Sequence, residues 1–464
     1  MESIVRLAAL KISNIKNVRN GQIVMPCANQ KHLTYKKAEV LGLYGQNGSG
    51  KTAVIDALYY LQKIMIGSAL DGEIADYIDS ACNQAEITAD FNIFSESVIY
   101  EVSYKIVLQK SEKGAYIEQE TLSCAVNEDN SRSNKTVFMD YRRSSQRESV
   151  FAPKKRLDEV LEVNAENKTD LIVAKRIAEK SNCSYIFGDG SREIFCQNYD
   201  NHFKHYSEVI TALFQFAVKD LFVIRNTHSG MISANFLLPM AFKIEHNEIG
   251  MKGDFAVPMA EPVVLNAERK KILDTLVEQI NMVLFTIIPG MKIDVCCYGM
   301  QMTDSGEDGY RVELVSVREG RPPIPIRMES DGIIKIISIL NVLIQAFGNP
   351  SICIAVDELD AGIFEYMLGE LLDIFNKSAK GQLIFTSHNL RALEMLDKDS
   401  IMFSTANTER RYIRMKNVKA TNNLRDTYLR GITLGGQDEV IYDETDSLRI
   451  ARAFRKAGRM IQHE

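Results

Sequence analysis

An α/β fold with a doubly wound parallel sheet is predicted by three stretches of the 464-residue sequence. Val40–Tyr44 is a short apolar run, which a glycine-rich turn separates from a segment with helical spacing. Ile352–Val356 is a continuous apolar run that ends at two adjacent acidic residues. From Ser351 to Thr405, strand-like and helix-like segments alternate, and such alternation is typical of a parallel sheet covered by helices.

The N-terminal elements surround the glycine-rich turn. Ser3–Ile12 predicts a strand, and Gly21–Met25 predicts its hairpin partner. Thr52–Met65 predicts a helix, because its apolar residues recur at helical spacing. Three later segments alternate between apolar and polar residues and predict an antiparallel meander: Ala85–Phe94, Val98–Leu108 and Tyr116–Val126.

The middle of the chain is predicted to be an inserted helical region over roughly residues 150–290. Leu157–Lys180 and Tyr206–Val223 have helix-like patterns, and Asn266–Ile288 carries one apolar stripe that ends at Pro289-Gly290. Asn127–Arg156, which precedes them, is polar and locally basic. We interpret it as a solvated loop, with a phosphate-contacting patch as the alternative.

The C-terminal part returns to strands and helices. Glu329–Phe347 predicts a helix that opens at Ser330, and a second helix is predicted over Phe364–Phe375 and a third over Leu390–Leu396. The predicted strands are Lys292–Tyr298, Tyr310–Val317, Ile324–Arg327, Ser351–Val356, Gly381–Phe385, Ser400–Thr405 and Arg411–Lys416.

These elements divide the chain into four expected parts. Residues 1–126 form an N-terminal lobe, 127–290 a mostly helical insertion, 291–420 a C-terminal lobe and 421–464 a tail. The expected architecture is therefore a mixed sheet with an antiparallel β subdomain and an inserted helical region.

Composition indicates a soluble globular protein, with 45% hydrophobic and 25% charged residues. We find no apolar run of about 18 residues or more and no signal peptide, so no membrane partner is expected. The eight cysteines form no C-x-x-C pair and are expected to be reduced thiols of a cytoplasmic protein. The formal charge of −6 argues weakly against a general nucleic-acid coat.

The glycine-rich turn fits Gly-x-x-x-x-Gly-Lys-Thr, a loop that cradles phosphates. Gly45, Gly48 and Gly50 let the backbone curl and point its N–H groups inward, and the following helix N-terminus favours an anion. Lys51 is expected to reach the β- and γ-phosphates, and the Thr52 hydroxyl to ligate Mg²⁺. Asn47 and Ser49 complete the candidate loop. The alternative is a glycine-rich turn that binds nothing.

The acidic pair supplies the second half of the candidate site. Asp357 lies at the carboxyl end of a buried strand, where ligands bind in such sheets, and is expected to hold Mg²⁺. Glu358 is the candidate base for an attacking water, although an Asp-Glu pair can also cap a helix. His388 ends the next predicted parallel strand, so it is expected beside both and can hydrogen-bond the γ-phosphate or the water.

Together these motifs resemble an ABC-type ATPase. Gly45–Thr52 and Ile352–Glu358 look like the two Walker motifs, Leu359-Asp360-Ala361 like the D-loop, and Thr386-Ser-His388 like the switch histidine. The wide separation of the motifs, and Leu10–Asn17 at the start, resemble the SMC, RecF and OLD-nuclease branch. The resemblance covers about residues 1–125 and 290–420, and implies ATP and Mg²⁺ as cofactors and hydrolysis to ADP and phosphate.

The same resemblance implies a homodimer or higher homo-oligomer that sandwiches ATP against a signature segment of the second subunit. Met328–Lys335 stands in the signature position, with Ser330 and Gly332 as the expected contacts to the partner's γ-phosphate. Leu434–Gln437 resembles the usual signature but follows His388, so we regard it as a decoy. Gln84 is a weak candidate for the glutamine loop.

An ATPase of this branch acts as a nucleotide-dependent switch. The chain lacks a long coiled coil and a recognisable nuclease pattern, so a separate effector protein is expected. This arrangement resembles ATPase subunits of bacterial anti-phage systems of the PARIS, Septu or retron-associated kind, in which the effector is a nuclease or toxin. The alternative is a RecF-like repair ATPase that binds DNA. An ATP-dependent enzyme acting on a small molecule has little support.

Two parts of the tail are candidates for effector docking, namely Asn423–Gly431 and the acidic run Asp438–Asp446. The competing interpretation is a helix that packs back on the core.

Overall fold

The computed structural model describes most of the chain. The described residues are 3–28, 34–96, 98–112, 114–128, 131–145, 150–226, 237–246, 249–303, 306–415, 423–434, 439–442 and 446–461.

A six-stranded sheet, the core sheet, carries the glycine-rich turn. Its strands are β3 (Glu39–Tyr44), β9 (Leu221–Ile224), β16 (Cys353–Val356), β17 (Gln382–Thr386), β18 (Ile401–Ser404) and β19 (Tyr412–Ile413). The order is β19-β18-β3-β17-β16-β9, and only the β18–β19 pair is antiparallel. The strands are largely apolar because both faces of a parallel sheet are covered, and Glu39, Gln382 and Thr386 are among the buried polar exceptions.

The central strand β3 faces two different cores. Leu41 and Leu43 join one hydrophobic cluster, whereas Val40 and Tyr44 join another. Helix α1 (Lys51–Met65) follows the glycine-rich turn and packs in the first cluster. A one-turn helix, α2 (Ile74–Tyr77), follows α1 in the chain.

The second sheet has seven strands and is antiparallel. They are β1 (Ile4–Ile15), β2 (Val18–Val24), β4 (Gln84–Ser95), β5 (Val98–Ser111), β6 (Gly114–Glu128), β7 (Ser131–Arg132) and β8 (Thr136–Arg142). The order β2-β1-β4-β5-β6 confirms the predicted hairpin and meander. Alternating buried residues along β4, β5 and β6 match a sheet with one face in the core.

The interpretation of Asn127–Arg156 as a loop was wrong for part of its length. Strand β8 pairs with β6 and buries Phe138, Met139 and Tyr141. The basic residues around this pattern concealed it in the sequence, and several of them form ion pairs with acidic residues, as Arg132 does with Glu101.

The region that follows contains helices, as expected, and additional strands. Its helices are α3 (Lys154–Val163), α4 (Asn167–Ser181), α5 (Asp189–Phe195) and α6 (Lys204–Gln215), and a π-helical turn covers Phe216–Asp220. The predicted helix Tyr206–Val223 therefore ends early, because Leu221–Ile224 forms β9 and pairs in parallel with β16.

A third layer is formed by the strands that follow β9 in the chain. It comprises the hairpin β10 (Leu237–His246) and β11 (Ile249–Pro258), and strands β12 (Val263–Asn266), β13 (Met291–Met302), β14 (Asp308–Arg318) and β15 (Ile324–Pro325). Helix α7 (Ala267–Ile287) crosses this layer, and its N-cap Asn266 accepts a hydrogen bond from the Arg269 N–H.

Helix α8 (Asp331–Gly348) is largely apolar because it lies between two cores, and its charged residues are Asp331 and Lys335. Ile336, Ile339 and Val342 belong to the core-sheet cluster, whereas Ile334 and Ile337 belong to the cluster of the third layer. Among the described helices, α8 alone is long and apolar enough to cross a membrane, but 61% of it is buried inside the protein. It is therefore explained as a core helix.

The chain closes with α9 (Glu365–Ser378), α10 (Ala392–Met395), α11 (Leu424–Leu434) and α12 (Ser447–Ile461). Helix α11 packs back on the core, with the Tyr428 ring stacked on Phe403 and Arg425 paired with Glu394. The packed-helix interpretation of Asn423–Gly431 is therefore confirmed. Of the acidic run Asp438–Asp446, residues 438 and 443–445 lie outside the described residues, and Glu439 pairs with Arg410.

A buried polar network joins the two large sheets. The Arg6 guanidinium on β1 forms an ion pair with Glu39 on β3, with 2.6 Å between Nη2 and Oε2. Gln382 on β17 donates to the same Glu39 carboxylate and exchanges two hydrogen bonds with the Leu7 backbone. The sheet order confirms the predicted α/β architecture of a mixed sheet and an antiparallel sheet, whereas the region expected to be helical also contains strands β9 to β12.

Candidate functional site

The glycine-rich turn connects β3 to α1 at the carboxyl edge of the core sheet. Gly45 has φ +148°, and a Cβ there would lie 2.0 Å from Ser404 Oγ. Gly50 adopts a left-handed conformation, with φ +88°, and precedes the first residue of α1. Both positions require glycine, so the turn has the backbone of a loop that points N–H groups toward an anion.

Neighbouring segments hold the loop in this shape. Asn17, at the turn after β1, donates from its side-chain amide to the Gly48 carbonyl, and the Tyr412 hydroxyl donates to the Gly50 carbonyl. Ser49 is buried and its hydroxyl lies 2.5 Å from that of Ser404. Asn47 is exposed at the tip of the loop.

Lys51 is buried at the start of α1. Its ammonium donates to the Gly45 carbonyl at 2.9 Å and to the Gln46 carbonyl at 3.0 Å. Burial lowers the pKa of Lys51, and the carboxylates of Asp357, Glu358 and Asp360 oppose that shift. The cation therefore sits within the electrostatic reach of all three carboxylates.

Asp357 comes directly after β16 and is buried. Its Oδ1 accepts hydrogen bonds from the hydroxyls of Thr386, at 2.7 Å, and Thr52, at 3.3 Å. Its Oδ2 is buried without a hydrogen-bond partner. Because an unpaired buried carboxylate oxygen is costly, this atom fits a hard cation such as Mg²⁺, which prefers oxygen ligands, with the Thr52 hydroxyl alongside.

Glu358 has a left-handed backbone, with φ +49°. Its N–H donates to Thr386 Oγ1 at 2.7 Å, and its carbonyl accepts a hydrogen bond from the Lys335 ammonium. The left-handed region is unfavourable for a residue with a Cβ, so hydrogen bonds on both sides of the residue stabilise this conformation.

His388 follows β17, the strand next to β16. Its backbone N–H donates to Asp360 Oδ2 at 3.0 Å. Partial burial and then the Lys51 cation lower the pKa of His388, while Asp360, Glu358 and Asp357 act in the opposite direction. The imidazole is therefore expected to be neutral at pH 7 and belongs to the same cluster as the carboxylates.

The candidate signature residues open helix α8. Ser330 is its exposed N-cap, and the Ser330 hydroxyl does not cap the helix. Gly332 is buried against the backbone of Gly362, which lies two residues after Asp360, and a Cβ on Gly332 would come within 1.9 Å of the Gly362 carbonyl oxygen. The start of α8 and the segment after Glu358 are thus in direct contact.

The site also contains residues to which the sequence analysis assigned no role of their own. The backbone of the site accepts hydrogen bonds from or donates them to the side chains of Thr386, Lys335 and Asn17. Strand β9 pairs with β16, and Arg225, the residue after β9, forms an ion pair with the buried Asp56 of α1. Gln84, the candidate for the glutamine loop, is instead exposed at the start of β4. The decoy Leu434–Gln437 lies outside the described residues, apart from Leu434.

No family model matches the chain, and no curated protein matches it. Among solved structures, the chain is similar to an SMC head bound to the C-winged helix domain of ScpA, with 12% identity and a TM-score of 0.44, over 88% of this chain and 98% of that one. It is also similar to an SMC head domain of Pyrococcus furiosus bound to the C-terminal domain of ScpA, with 13% identity and a TM-score of 0.40, over 88% and 96%. An SMC head domain from Thermotoga maritima has 13% identity and a TM-score of 0.35, over 89% and 99%.

Proposed function

We propose that the protein binds ATP with Mg²⁺ and hydrolyses it to ADP and phosphate. The observation that carries this proposal is Asp357, whose Oδ1 accepts a hydrogen bond from the Thr52 hydroxyl at the end of the phosphate loop and whose Oδ2 is buried and unpaired. A carboxylate and a hydroxyl in this position are the groups with which such loops hold Mg²⁺. Mg²⁺ bound there would neutralise charge on the phosphates.

Each residue then has a defined part in the reaction. The loop N–H groups and Lys51 bind the phosphates, and the N-terminus of α1 adds a favourable dipole. Glu358 accepts a proton from the attacking water, which makes it the candidate base. His388, with a neutral imidazole, donates a hydrogen bond to the γ-phosphate or the water.

The proposal extends to a homodimer in which each ATP lies between two subunits. Ser330 supports this extension, because an exposed hydroxyl that does not cap its own helix is available to a ligand of the second subunit. The N-terminus of α8 would favour the γ-phosphate for the same electrostatic reason as α1 does. Asp360 lies near this surface, where it holds the His388 backbone.

We further propose that the ATPase is a switch for a separate effector in anti-phage defence. A DNA-binding role has less support, because four basic residues of the 127–156 segment form ion pairs with carboxylates: Arg132 with Glu101, Lys135 with Asp90, Arg142 with Asp140 and Arg156 with Glu159. Arg147 lies outside the described residues.

Two substitutions test the ATPase. Glu358→Gln keeps the shape of the side chain but removes the base, so we expect MgATP binding to persist while turnover falls by about 100-fold or more. Lys51→Ala should abolish nucleotide binding. Binding is measured by calorimetry and turnover by phosphate release, with Lys377→Met as a control, since exposed Lys377 pairs only along α9 with Asp373. Wild-type turnover in Glu358→Gln would show that another group is the base.

The partner is tested by co-purification of Glu358→Gln from the native operon. A stoichiometric protein recovered with ATP and lost in Lys51→Ala supports the switch and names the effector. Recovery of nucleic acid without a protein contradicts the switch and favours the RecF-like alternative.

A further inference from the structure

We propose that Lys335 is a positioning residue for Glu358, and that it links the two ATP sites of the dimer through helix α8. This inference rests on the proposed ATPase. Lys335 lies on the helix whose N-terminal Ser330 would contact the partner's nucleotide in the proposed dimer, yet its ammonium donates to the backbone carbonyl of the candidate base in its own subunit.

Lys335 is an unusual residue for its surroundings. It is buried in a helix whose other charged residue is Asp331, and the residues around it on α8 are Ile334, Ile336 and Ile337. Burial of an ammonium is costly unless hydrogen bonds and opposite charges compensate. Here the Glu358 carbonyl accepts the hydrogen bond, and Asp360, Glu358 and Asp357 supply the opposite charge.

The hydrogen bond from Lys335 fixes the backbone of Glu358, the candidate base. The Glu358 peptide is fixed on its N–H side by Thr386 Oγ1, at 2.7 Å, and on its carbonyl side by Lys335. The next residue, Leu359, donates its N–H to the Thr386 carbonyl at 3.0 Å. The left-handed conformation of Glu358 sets the direction in which its side chain leaves the strand. Loss of Lys335 removes one of the two hydrogen bonds that stabilise that conformation.

Helix α8 connects this contact to the subunit interface. Ser330 and Lys335 are five positions apart, which is about 7.5 Å along a helix axis. Gly332 lies between them and packs so closely on Gly362 that a Cβ would overlap the Gly362 carbonyl. If the N-terminus of α8 shifts when it binds the partner's nucleotide, the shift therefore also moves the atoms that contact Gly362 and the Glu358 carbonyl.

The geometry predicts a specific kinetic pattern. Lys335 touches neither the phosphate loop nor Thr52 among the contacts described above, so its loss should spare binding of MgATP. The misplaced base should lower turnover instead. Because α8 would contact the partner's nucleotide at its N-terminus and Glu358 through Lys335, ATP turnover in the wild type should be cooperative between the two sites. A variant without the Lys335 ammonium should lose that cooperativity.

The test compares Lys335→Met and Lys335→Arg in the full-length chain. For Lys335→Met we expect kcat to fall by about 10- to 100-fold, with KM and the Kd for MgATP close to wild type and the Hill coefficient near that of independent sites. Lys335→Arg keeps a cationic donor and should recover part of kcat. Lys377→Met, on the exposed face of α9, is the matched control and should behave as wild type.

The outcomes separate this inference from the function on which it rests. If the wild type neither binds nor hydrolyses ATP, the proposed function fails. If the wild type turns over ATP and Lys335→Met matches it in kcat and Hill coefficient, Lys335 is not a positioning residue. If Lys335→Met does not fold, as judged by MgATP binding and thermal unfolding, Lys335→Arg decides: a lower kcat with an unchanged Kd for MgATP supports the positioning role, and a changed Kd with kcat retained contradicts it. Equal losses in Lys335→Arg and Lys335→Met also contradict it, since the retained cation should have helped.

Discussion

Thr386 organises the site through a single hydroxyl. The hydroxyl donates to Asp357 Oδ1 and accepts the Glu358 N–H, so it fixes the metal-binding candidate and the candidate base at once. Thr386 is fully buried, and water cannot replace these bonds without rearrangement. The relative orientation of the two acidic residues therefore depends on their neighbour in β17.

Thr386→Val preserves shape and removes both bonds. We expect a loss of about 1–3 kcal/mol in the free energy of unfolding, because the Glu358 N–H loses its acceptor. We also expect that a higher Mg²⁺ concentration is needed for half-maximal turnover, because Asp357 is no longer held in place. Thr386→Ser keeps the hydroxyl and serves as the control. Urea unfolding and Mg²⁺ titrations of ATPase activity provide the measurements, and equal behaviour of the two variants would contradict the assigned role.

The sequence pattern predicted the candidate site residues that follow strands, but it did not predict which residues hydrogen-bond to them. Asp357 and His388 follow apolar runs, and parallel strands bring such ends to one edge of the sheet. Lys335 gave no comparable signal, because a lone lysine in an apolar helix looks like an interruption of the pattern. Its target carbonyl is 23 residues away, and its role depends on how α8 packs against the segment after β16.

At the level of elements, α8 is held close to the segment after β16 by two glycines. A Cβ on Gly332 would overlap the Gly362 carbonyl, and the φ of +77° at Gly362 disfavours a residue with a side chain. Gly348, at the other end of the same helix, has open space around it. The helix thus offers one glycine required by contact and one that is not.

Gly332→Ala should separate α8 from the Gly362 segment. The added Cβ would overlap the Gly362 carbonyl oxygen, and such overpacking lowers the free energy of unfolding by about 1–3 kcal/mol. We expect lower thermal stability and slower ATP turnover. Gly348→Ala is the matched control and should be neutral or slightly stabilising, since alanine favours helix. Differential scanning calorimetry of both variants decides the matter, and equal melting temperatures would mean that α8 can shift without cost.

Two elements could not be identified from local pattern alone. Leu221–Ile224 is apolar at every position and fits the end of a helix as well as a strand. It forms a strand because it pairs in parallel with the edge of β16, which lies far away in the sequence. Strand β8 was obscured in a similar way, because its buried residues are surrounded by cations that pair with acidic residues nearby.

For the whole molecule, the Arg6–Glu39–Gln382 network connects the two large sheets. The Arg6 guanidinium also donates to the Pro350 carbonyl, and both members of the ion pair are almost completely buried. A buried pair contributes little net stability, but removing one member leaves an unpaired charge. The network therefore fixes how the sheets meet.

A double-mutant cycle tests this role. Arg6→Met and Glu39→Met should each lower the free energy of unfolding by about 3–5 kcal/mol, whereas the double variant should lose much less than the sum. Lys105→Met disrupts the more exposed pair with Glu86 and should cost less than about 1 kcal/mol. Guanidinium unfolding gives the values. Additive losses in the double variant would show that the two residues act independently.

The position of β3 also has a consequence for synthesis of the protein. This strand pairs on one side with β17 and on the other with β18, and Glu39 and Gln382 are 343 residues apart. At roughly 5–20 residues per second, a ribosome needs tens of seconds to make that length of chain. Throughout that time the strand that begins the phosphate loop has an apolar surface and two unpaired edges. The nascent chain should therefore depend on chaperones, and a truncation before β17 should aggregate rather than bind nucleotide.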